Sequence, residues 1–516
     1  MMKFLGLALL ACVPSVAVAA GAPTVMSPYE VRANSVAFQN WIKVGSPNFI
    51  VYTDAKPSEA SRVLREFEML RAAGQILFGR KAARFGPVVF ILPTESSDWR
   101  KLEIKGGMQE WKAAVSLVGG NVTSVVVAQY DWQERGLSLL RAIYADIERA
   151  QMDIAAPFWF ERGLSFYFDT AEFDGDRVKL GRIDARAYQL TQDAWVPWGR
   201  FFEVNPSSPE FTKESQVGRF EGQAALFTQF LLSNPDRRWS RKLIAWRDYL
   251  EAGGSPTESQ FASVFGQDWK QWQFTLKSYL DSGRYNVFPI ALAADVTHFP
   301  ETHFDLPARE VRELFVLIQT LLQRVPDSAV SLDALLRNGL RSDCLRELLL
   351  ESCNSWGRQD AALKVVRQLI ASGSKNSRVY RMGDALLTRD AGPFGLDSRM
   401  GPELPEVRGW DRRGIELEPL DVDLNESWAV NEACAPVVDQ QSITTIEDCY
   451  RRIRNRRSTD QVIAALAMAL WRIGDTQTAG DIAAKLADDP LVNKRYRALA
   501  QDLLGRIRAH ASPHAS

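Results

Sequence analysis

Residues 157 to 168 have the sequence Pro-Phe-Trp-Phe-Glu-Arg-Gly-Leu-Ser-Phe-Tyr-Phe, and this stretch decides how the first half of the chain is interpreted. It predicts a helix, and Pro157 separates that helix from an earlier one predicted over about residues 134–152. The aromatic side chains of this stretch are more typical of a protein core than of a binding cleft. They are Trp159, Phe160, Phe166, Tyr167 and Phe168.

Short β-branched or aromatic runs lie on both sides of these two helices and predict strands. The runs are residues 49–53, 88–92, 123–128 and 177–181. Apolar residues at spacings of three and four predict a helix between Val63 and Leu77, and residues 220–285 have a helical pattern rich in Trp and Phe. The first half is therefore expected to be an α+β domain.

The second half is predicted to be almost entirely helical, apart from a stretch near residues 392–424. That stretch contains several prolines and acids and predicts a linker or an extended strap. In two similar segments, Gly357 and Gly474 each end one helix, and Ala362 and Ala479 lie in the next helix. This spacing is similar to the turn of tetratricopeptide repeats. Because the two glycines are not separated by a multiple of about 34 residues, ordinary helical hairpins are the alternative.

These patterns predict the following division of the chain. The predicted segments are a signal peptide at 1–20, an α+β domain at 21–285, a helical repeat-like region at 286–391, an irregular Pro- and acid-rich strap at 392–435, and an all-α tetratricopeptide-like region at 436–516.

The first 20 residues have the features of a secretion signal. Lys3 supplies a positive charge, residues 4–12 are too short to span a bilayer, and residues 17–20 are small, as signal peptidase requires. A less favoured interpretation is a lipid anchor at Cys12. We therefore expect a periplasmic or secreted bacterial protein with no transmembrane segment.

Charge and cysteine content narrow the expected partners and covalent bonds. A formal net charge of −1 gives no basic patch of the kind that binds nucleic acid, so no nucleic-acid partner is expected. An even number of cysteines after the signal favours disulfides Cys344–Cys353 and Cys434–Cys449 in an exported protein. Four buried free thiols are the alternative.

The order of several motifs in the first half resembles that of the bacterial peptidase-MA-like zinc metallopeptidases, a gluzincin-like group whose members often carry tetratricopeptide repeats. The resemblance covers roughly residues 38–285 and implies a zincin-like fold for the N-terminal domain. The segments that carry it are residues 41–53, 139–146, 157–168, 178–181, 195–197, 220–232 and 261–269.

The zinc-binding and catalytic positions implied by this resemblance are all replaced. In the family, a His-Glu-x-x-His helix supplies two zinc ligands and the glutamate that activates water, and a later glutamate completes the site. The resemblance places the two histidines at Ala142 and Asp146 and the catalytic glutamate at Ile143. It places the third ligand at Arg162 and a further acid at Phe166. The histidines of the chain are only His298, His303, His510 and His514. No catalytic residue, metal or cofactor is therefore predicted.

Two of the replacements, Asp146 and Arg162, have opposite charges at positions that would converge on one ion in a zinc-bound relative. We predict that Arg162 forms an ion pair with Asp146 in place of the metal. The alternative is that Arg162 points into solvent. Ser138 and Ser165 offer no other chemistry of this kind, because the domain has no histidine to act as their base.

The function expected from these features is that of a non-catalytic relative of exported zinc peptidases. It would bind a protein or peptide through the repeat-like helices or the vacated cleft, or act as a scaffold in the cell envelope. The alternative is an active extracytoplasmic peptidase, or another hydrolase with an atypical site.

Overall fold

A computed structural model describes most of the chain from residue 40 to residue 511. The described residues are 40–78, 87–95, 114–117, 123–128, 132, 137, 140–142, 144–145, 147, 157–190, 195–236, 238–251, 257–323, 326–340, 342–388, 403–454, 459–489 and 492–511. The predicted signal peptide at 1–20 and the alternative anchor site at Cys12 lie outside these residues.

Among the described residues, strands occur only up to residue 305, and they form two sheets. They are β1 Ile42–Gly45, β2 Phe49–Thr53, β3 Val88–Leu92, β4 Ala114–Leu117, β5 Val125–Ala128, β6 Glu172–Asp174, β7 Arg177–Leu180, β8 Phe288–Ala291 and β9 Thr302–Asp305. The larger sheet has the order β4-β5-β3-β2-β1-β9, and the smaller has the order β6-β7-β8. The strands predicted from the sequence at β2, β3, β5 and β7 are confirmed.

Helices surround these sheets and make up the described chain after residue 305. Those of the first part are α1 Pro57–Phe78, α2 Phe158–Asp169, α3 Ala185–Gln189, α4 Trp198–Glu203, α5 Pro209–Thr212, α6 Glu214–Ser233, α7 Arg238–Glu251, α8 Glu258–Phe265, α9 Trp269–Asp281 and α10 Ala294–Thr297. Those of the second part are α11 Ala308–Gln323, α12 Pro326–Asn338, α13 Asp343–Ser355, α14 Gln359–Ala371, α15 Ser377–Thr388, α16 Leu404–Leu417, α17 Val422–Ala433, α18 Gln440–Ile453, α19 Asp460–Arg472, α20 Thr476–Asp488 and α21 Lys494–Ala511.

The larger sheet is mixed, with parallel pairing where its strands are most apolar. Strands β2 and β3 are parallel, as are β3 and β5, whereas β1 and β4 are antiparallel to their neighbours. All five residues of β3 are buried, as expected for a parallel strand that is covered on both faces. The mixed sheet and its helices confirm the α+β class of the first part.

The two faces of this sheet pack against different layers of helices. On one face, Phe49 and Phe90 contact Phe67 of α1, with ring centroids 5.9 and 4.4 Å from that of Phe67. On the other face, Tyr52 and Ile91 belong to a second core that includes α11, α13 and α14. Successive residues of a strand point to opposite faces, so the alternating residues of each strand divide between the two cores.

The α+β part extends beyond residue 285, which is a correction to the predicted boundary. Strand β8 pairs with β7, and β9 pairs with β1 at the edge of the larger sheet. All four residues of β9 are exposed, so this strand lacks the apolar alternation that sequence patterns detect. The sheet therefore includes residues up to Asp305, and α11 follows it directly.

The two predicted helical hairpins are confirmed. Helices α13 and α14 contact each other, as do α19 and α20, and the short turns make each pair antiparallel. Gly357 and Gly474 have positive φ angles of 67° and 93° at the ends of the first helices. The following amide, from Arg358 or Asp475, donates to the carbonyl five residues earlier, as in a Schellman motif.

The predicted irregular strap at 392–435 is wrong for its described residues, because these contain α16 and α17. Pro405 lies in the first turn of α16, where a proline needs no amide donor. Asp421 caps α17 by accepting a hydrogen bond from the Leu424 amide at 3.1 Å. Pro405 and Asp421 therefore lie at the starts of two helices and not in an extended segment. Residues 389–402 lie outside the described residues.

The four described cysteines are free thiols, so the predicted disulfides are also wrong. Cys344 and Cys353 lie in the same helix, α13, where nine residues correspond to about 13 Å, whereas a disulfide requires Cα atoms within about 7 Å. Cys449 is near Asp411 of α16, whereas Cys434 is near Arg472 of α19.

No described helix has both the length and the apolar composition that a membrane-spanning helix requires.

The thiols can be counted on the purified chain of residues 21–516. We expect Ellman's reagent to titrate four thiols in denaturant without reductant. In the native protein the reaction should be slow, because burial raises the pKa of Cys344 and Cys434 to about 11 and that of Cys353 and Cys449 to about 12. Cys434 is the least buried of the four, so Cys434→Ser should remove the fastest native phase. A count of zero or two in denaturant would contradict the free-thiol state.

Candidate functional site

The described residues of the first predicted zinc-site helix are anchored to the sheet and to α1. The Tyr144 ring lies 5.3 Å from Phe49 and 5.4 Å from Phe67, centroid to centroid, and is fully buried. Arg141 forms an ion pair with Glu66 at 2.8 Å and donates to the Ala171 carbonyl at 2.9 Å. Ala142 is half-buried on this helix. Ile143 and Asp146 lie outside the described residues.

The second predicted element, α2, crosses α6 at very close range. A Cβ atom at Gly163 would lie 2.1 Å from Thr228 Oγ1 and 2.5 Å from the Ala224 carbonyl oxygen, so only glycine fits there. Trp159 and Phe168 are buried in the surrounding core. This agrees with the prediction that the aromatic residues of this stretch form a core.

Arg162 points from α2 towards α6 and forms an ion pair there. Its Nη2 lies 2.8 Å from Glu221 Oε1, and the two side chains are 26% and 9% exposed. The guanidinium also lies over two rings, 5.3 Å from the centroid of Phe166 and 5.5 Å from that of Phe211. The partly enclosed cation is therefore stabilised by a carboxylate and by the faces of two aromatic rings.

The structure brings two predicted positions together, Arg162 and Phe166, and adds Glu221 and Phe211, which the sequence reasoning missed. The signal for Glu221 was a single acid at the start of the apolar run 220–232. The predicted pair with Asp146 falls on a position outside the described residues and stays a prediction.

The described side chains at these positions do not fit a zinc ion. A methyl group stands at Ala142 and a phenyl ring at Phe166, and the guanidinium of Arg162 has no lone pair with which to bind a metal. The carboxylate of Glu221, 2.8 Å from this guanidinium, is already paired with it.

A second polar group lies inside the helical part. The Asn431 side-chain amide donates to Asp384 Oδ1 at 3.0 Å and to Asp411 Oδ2 at 2.7 Å, so it links α15, α16 and α17. Burial raises the pKa of both carboxyls. The other oxygen of Asp411 is buried without a hydrogen-bond partner among the described residues. One amide thus organises two acids that burial drives towards the neutral form.

A third buried acid, Glu347 of α13, joins the helical part to the sheet. Thr123, just before β5, donates a hydrogen bond of 3.0 Å to Glu347 Oε2. Burial raises the pKa of Glu347 to about 7, although hydrogen bonds from Asn376 and Thr123 act in the opposite direction. This carboxyl is therefore poised to titrate near neutral pH at the contact between two layers.

Comparison with known proteins identifies no family for this chain. No family model matches it, and no curated protein matches it in sequence. Among solved structures, it is similar to a thermophilic tetratricopeptide-repeat protein of Thermus thermophilus, with 16% identity and a TM-score of 0.25. The match covers 38% of this chain and 96% of that one.

The Arg162–Glu221 pair can be tested by a double-mutant cycle. We expect Arg162→Met and Glu221→Leu each to lower the free energy of unfolding by about 2 kcal/mol, because each leaves a poorly solvated charge without its main counter-ion. The double variant should lose clearly less than the two single losses added together. Urea unfolding measures these values. The Arg413–Glu416 pair, in which both side chains are exposed, is the control and should show little coupling. Additive losses at Arg162 and Glu221 would contradict the pairing.

The raised pKa of Glu347 predicts that the stability of the protein depends on pH. The pKa of Glu347 in the folded protein, about 7, lies above the ordinary glutamate value of 4.5. Its contribution to stability is therefore complete below pH 4.5 and is lost as the pH rises through 7. Relative to Glu347→Gln, the wild-type free energy of unfolding should fall by about 2–3 kcal/mol across this window. Urea unfolding at several pH values tests this, with Glu416→Gln on an exposed surface as the control. Parallel pH profiles for wild type and Glu347→Gln would disprove the assignment.

Proposed function

We propose that this chain is an exported, non-catalytic relative of peptidase-MA-like zinc peptidases, with a zincin-like N-terminal domain and tetratricopeptide-like helices. It binds a protein or peptide partner, or steadies an assembly, in the bacterial cell envelope. The proposal combines the motif resemblance of residues 38–285 with the geometry around Arg162.

The observation that carries the proposal is the ion pair between Arg162 and Glu221. At the position that the resemblance gives to the third zinc ligand, the chain has a cation paired with a carboxylate at 2.8 Å. The rings of Phe166 and Phe211 flank that cation. A cation at this position repels a metal ion. The arrangement therefore supports the proposal that packed side chains fill the position that the zinc site has in the family.

The helical hairpins support the binding role. Helices α16 to α21 contact one another in sequence order, as stacked helix pairs do in repeat proteins. Such stacks create extended concave surfaces that repeat proteins use for binding. A protein or peptide partner is therefore proposed for this part of the chain.

Metal content and proteolysis test the non-catalytic proposal. The purified chain of residues 21–516, incubated with zinc and then dialysed, should hold far less than one zinc per chain by mass spectrometry of the metal. It should not cleave casein, with or without EDTA. One zinc per chain together with EDTA-sensitive cleavage would instead establish an active peptidase, and EDTA-insensitive cleavage would establish another hydrolase.

Restoring the family residues tests the resemblance itself. The variant Ala142→His, Asp146→His, Arg162→Glu should bind one zinc per chain if the two helices are placed as in the family. The variant Arg162→Glu alone is the matched control and should not bind zinc. Circular dichroism and urea unfolding establish that both variants are folded. If the folded triple variant binds no zinc, the resemblance is wrong.

A further inference from the structure

A polar cleft of about 450 Å³ lies among α16, α17 and α18, far along the chain from the Arg162 site. Helix α16 contributes Arg408 and Arg412, α17 contributes Trp428 and Glu432, and α18 contributes Arg452. Three guanidinium groups therefore line one concave surface of a protein whose net charge is close to zero.

One of the three arginines is neutralised within the cleft. Arg408 donates to both oxygens of Glu432, at 2.9 and 2.6 Å, and the Trp428 indole donates to the same carboxylate at 2.9 Å. Glu432 is thus saturated by a bidentate pair and a third donor, and it cannot also compensate the other arginines.

The remaining acids of the cleft are also engaged by groups of α18. Asp448 forms an ion pair with Arg451, one turn further along the helix. Asp439 caps α18 and accepts hydrogen bonds from the Ser442 amide at 2.9 Å and the Ser442 hydroxyl at 3.3 Å. Neither acid forms an ion pair with Arg412 or Arg452 among the described residues.

Two cations are therefore left facing the cleft without a carboxylate. Arg412 is exposed and has no hydrogen-bond or ion-pair partner among the described residues. Arg452 makes a 3.4 Å contact with the neutral Asn425 side chain, and its guanidinium lies 5.8 Å from the centroid of Trp428. Val437, at the rim, is 77% exposed. The cleft thus combines two available guanidinium groups with an aromatic ring and an apolar rim.

We propose that this cleft binds an acidic peptide segment of a partner protein. Carboxylates of the peptide pair with Arg412 and Arg452, and an adjacent apolar side chain packs against Trp428 and Val437. Guanidinium groups suit this partner because they bind carboxylates through paired hydrogen bonds while their planes stack on aromatic rings. The inference rests on the proposed peptide-binding role and assigns it a surface and a chemistry.

Selection from a random decapeptide library displayed on phage tests this inference. The chain of residues 21–516 is the bait, and the binding of the selected peptides, once synthesised, is measured by fluorescence anisotropy. We expect sequences with Glu or Asp next to an apolar residue. The double variant Arg412→Gln, Arg452→Gln should bind them at least about tenfold more weakly, because two charge-assisted pairs are lost.

Matched controls separate this surface from general charge effects. Arg413→Gln should bind normally, because Arg413 is paired with Glu416 and does not line the cleft. Peptides with Gln in place of their acids should not bind. Circular dichroism confirms that the variants are folded.

Three results would overturn the inference. They are failure to select acidic peptides, equal binding by the double variant, or competition by free succinate at the affinity of the peptide itself. Peptides that bind equally to wild type and the double variant would leave the proposed binding role standing and place it on another surface. The zinc and proteolysis measurements decide the non-catalytic proposal independently of all three results.

Discussion

The central strands of the larger sheet are buried on both faces, and both halves of the protein depend on that burial. One face packs on α1, where Phe67 contacts both Phe49 and Phe90. The other packs on α11, α13 and α14, and Trp41 meets Phe315 of α11 edge to face with centroids 5.2 Å apart. Removing the helices would expose the apolar residues of that face to water. This exposure costs roughly 25 cal/mol of free energy for each Å² of apolar surface. The first helices after the sheet therefore complete its fold.

Polar side chains mark the places where these layers meet. Glu347 joins α13 to Thr123, just before β5. Asn431 joins three helices through two aspartates, and Glu221 joins α6 to α2 through Arg162. A buried polar group costs free energy unless it is paired, so each contact permits few alternative arrangements of its helices. In the part of the chain that is described, these groups define how the layers are positioned while the apolar cores supply most of the stabilisation.

The same physical rules explain why the proposed binding surface differs from the Arg162 region. At Arg162, the charge has a carboxylate partner and is flanked by two rings, so little of it is available to a ligand. In the cleft of α16 to α18, the acids are already engaged by other groups, while Arg412 and Arg452 face the cleft without a carboxylate partner among the described residues. A partner gains free energy from charges that the protein has not already neutralised, which favours the second location.

Local patterns in the sequence determined the apolar strands, the aromatic helix α2 and the two hairpin turns. Each depends on neighbouring residues: consecutive β-branched side chains at 88–92, or the positive φ angles of Gly357 and Gly474. The tertiary structure alone decided the pairing of β9 with β1, the helices within the proline-rich stretch, and the free state of the cysteines. It also gave Arg162 a partner 59 residues away, Glu221. The identity of a distant partner depends on how helices and strands are arranged in space, and no short segment of the sequence specifies that arrangement by itself.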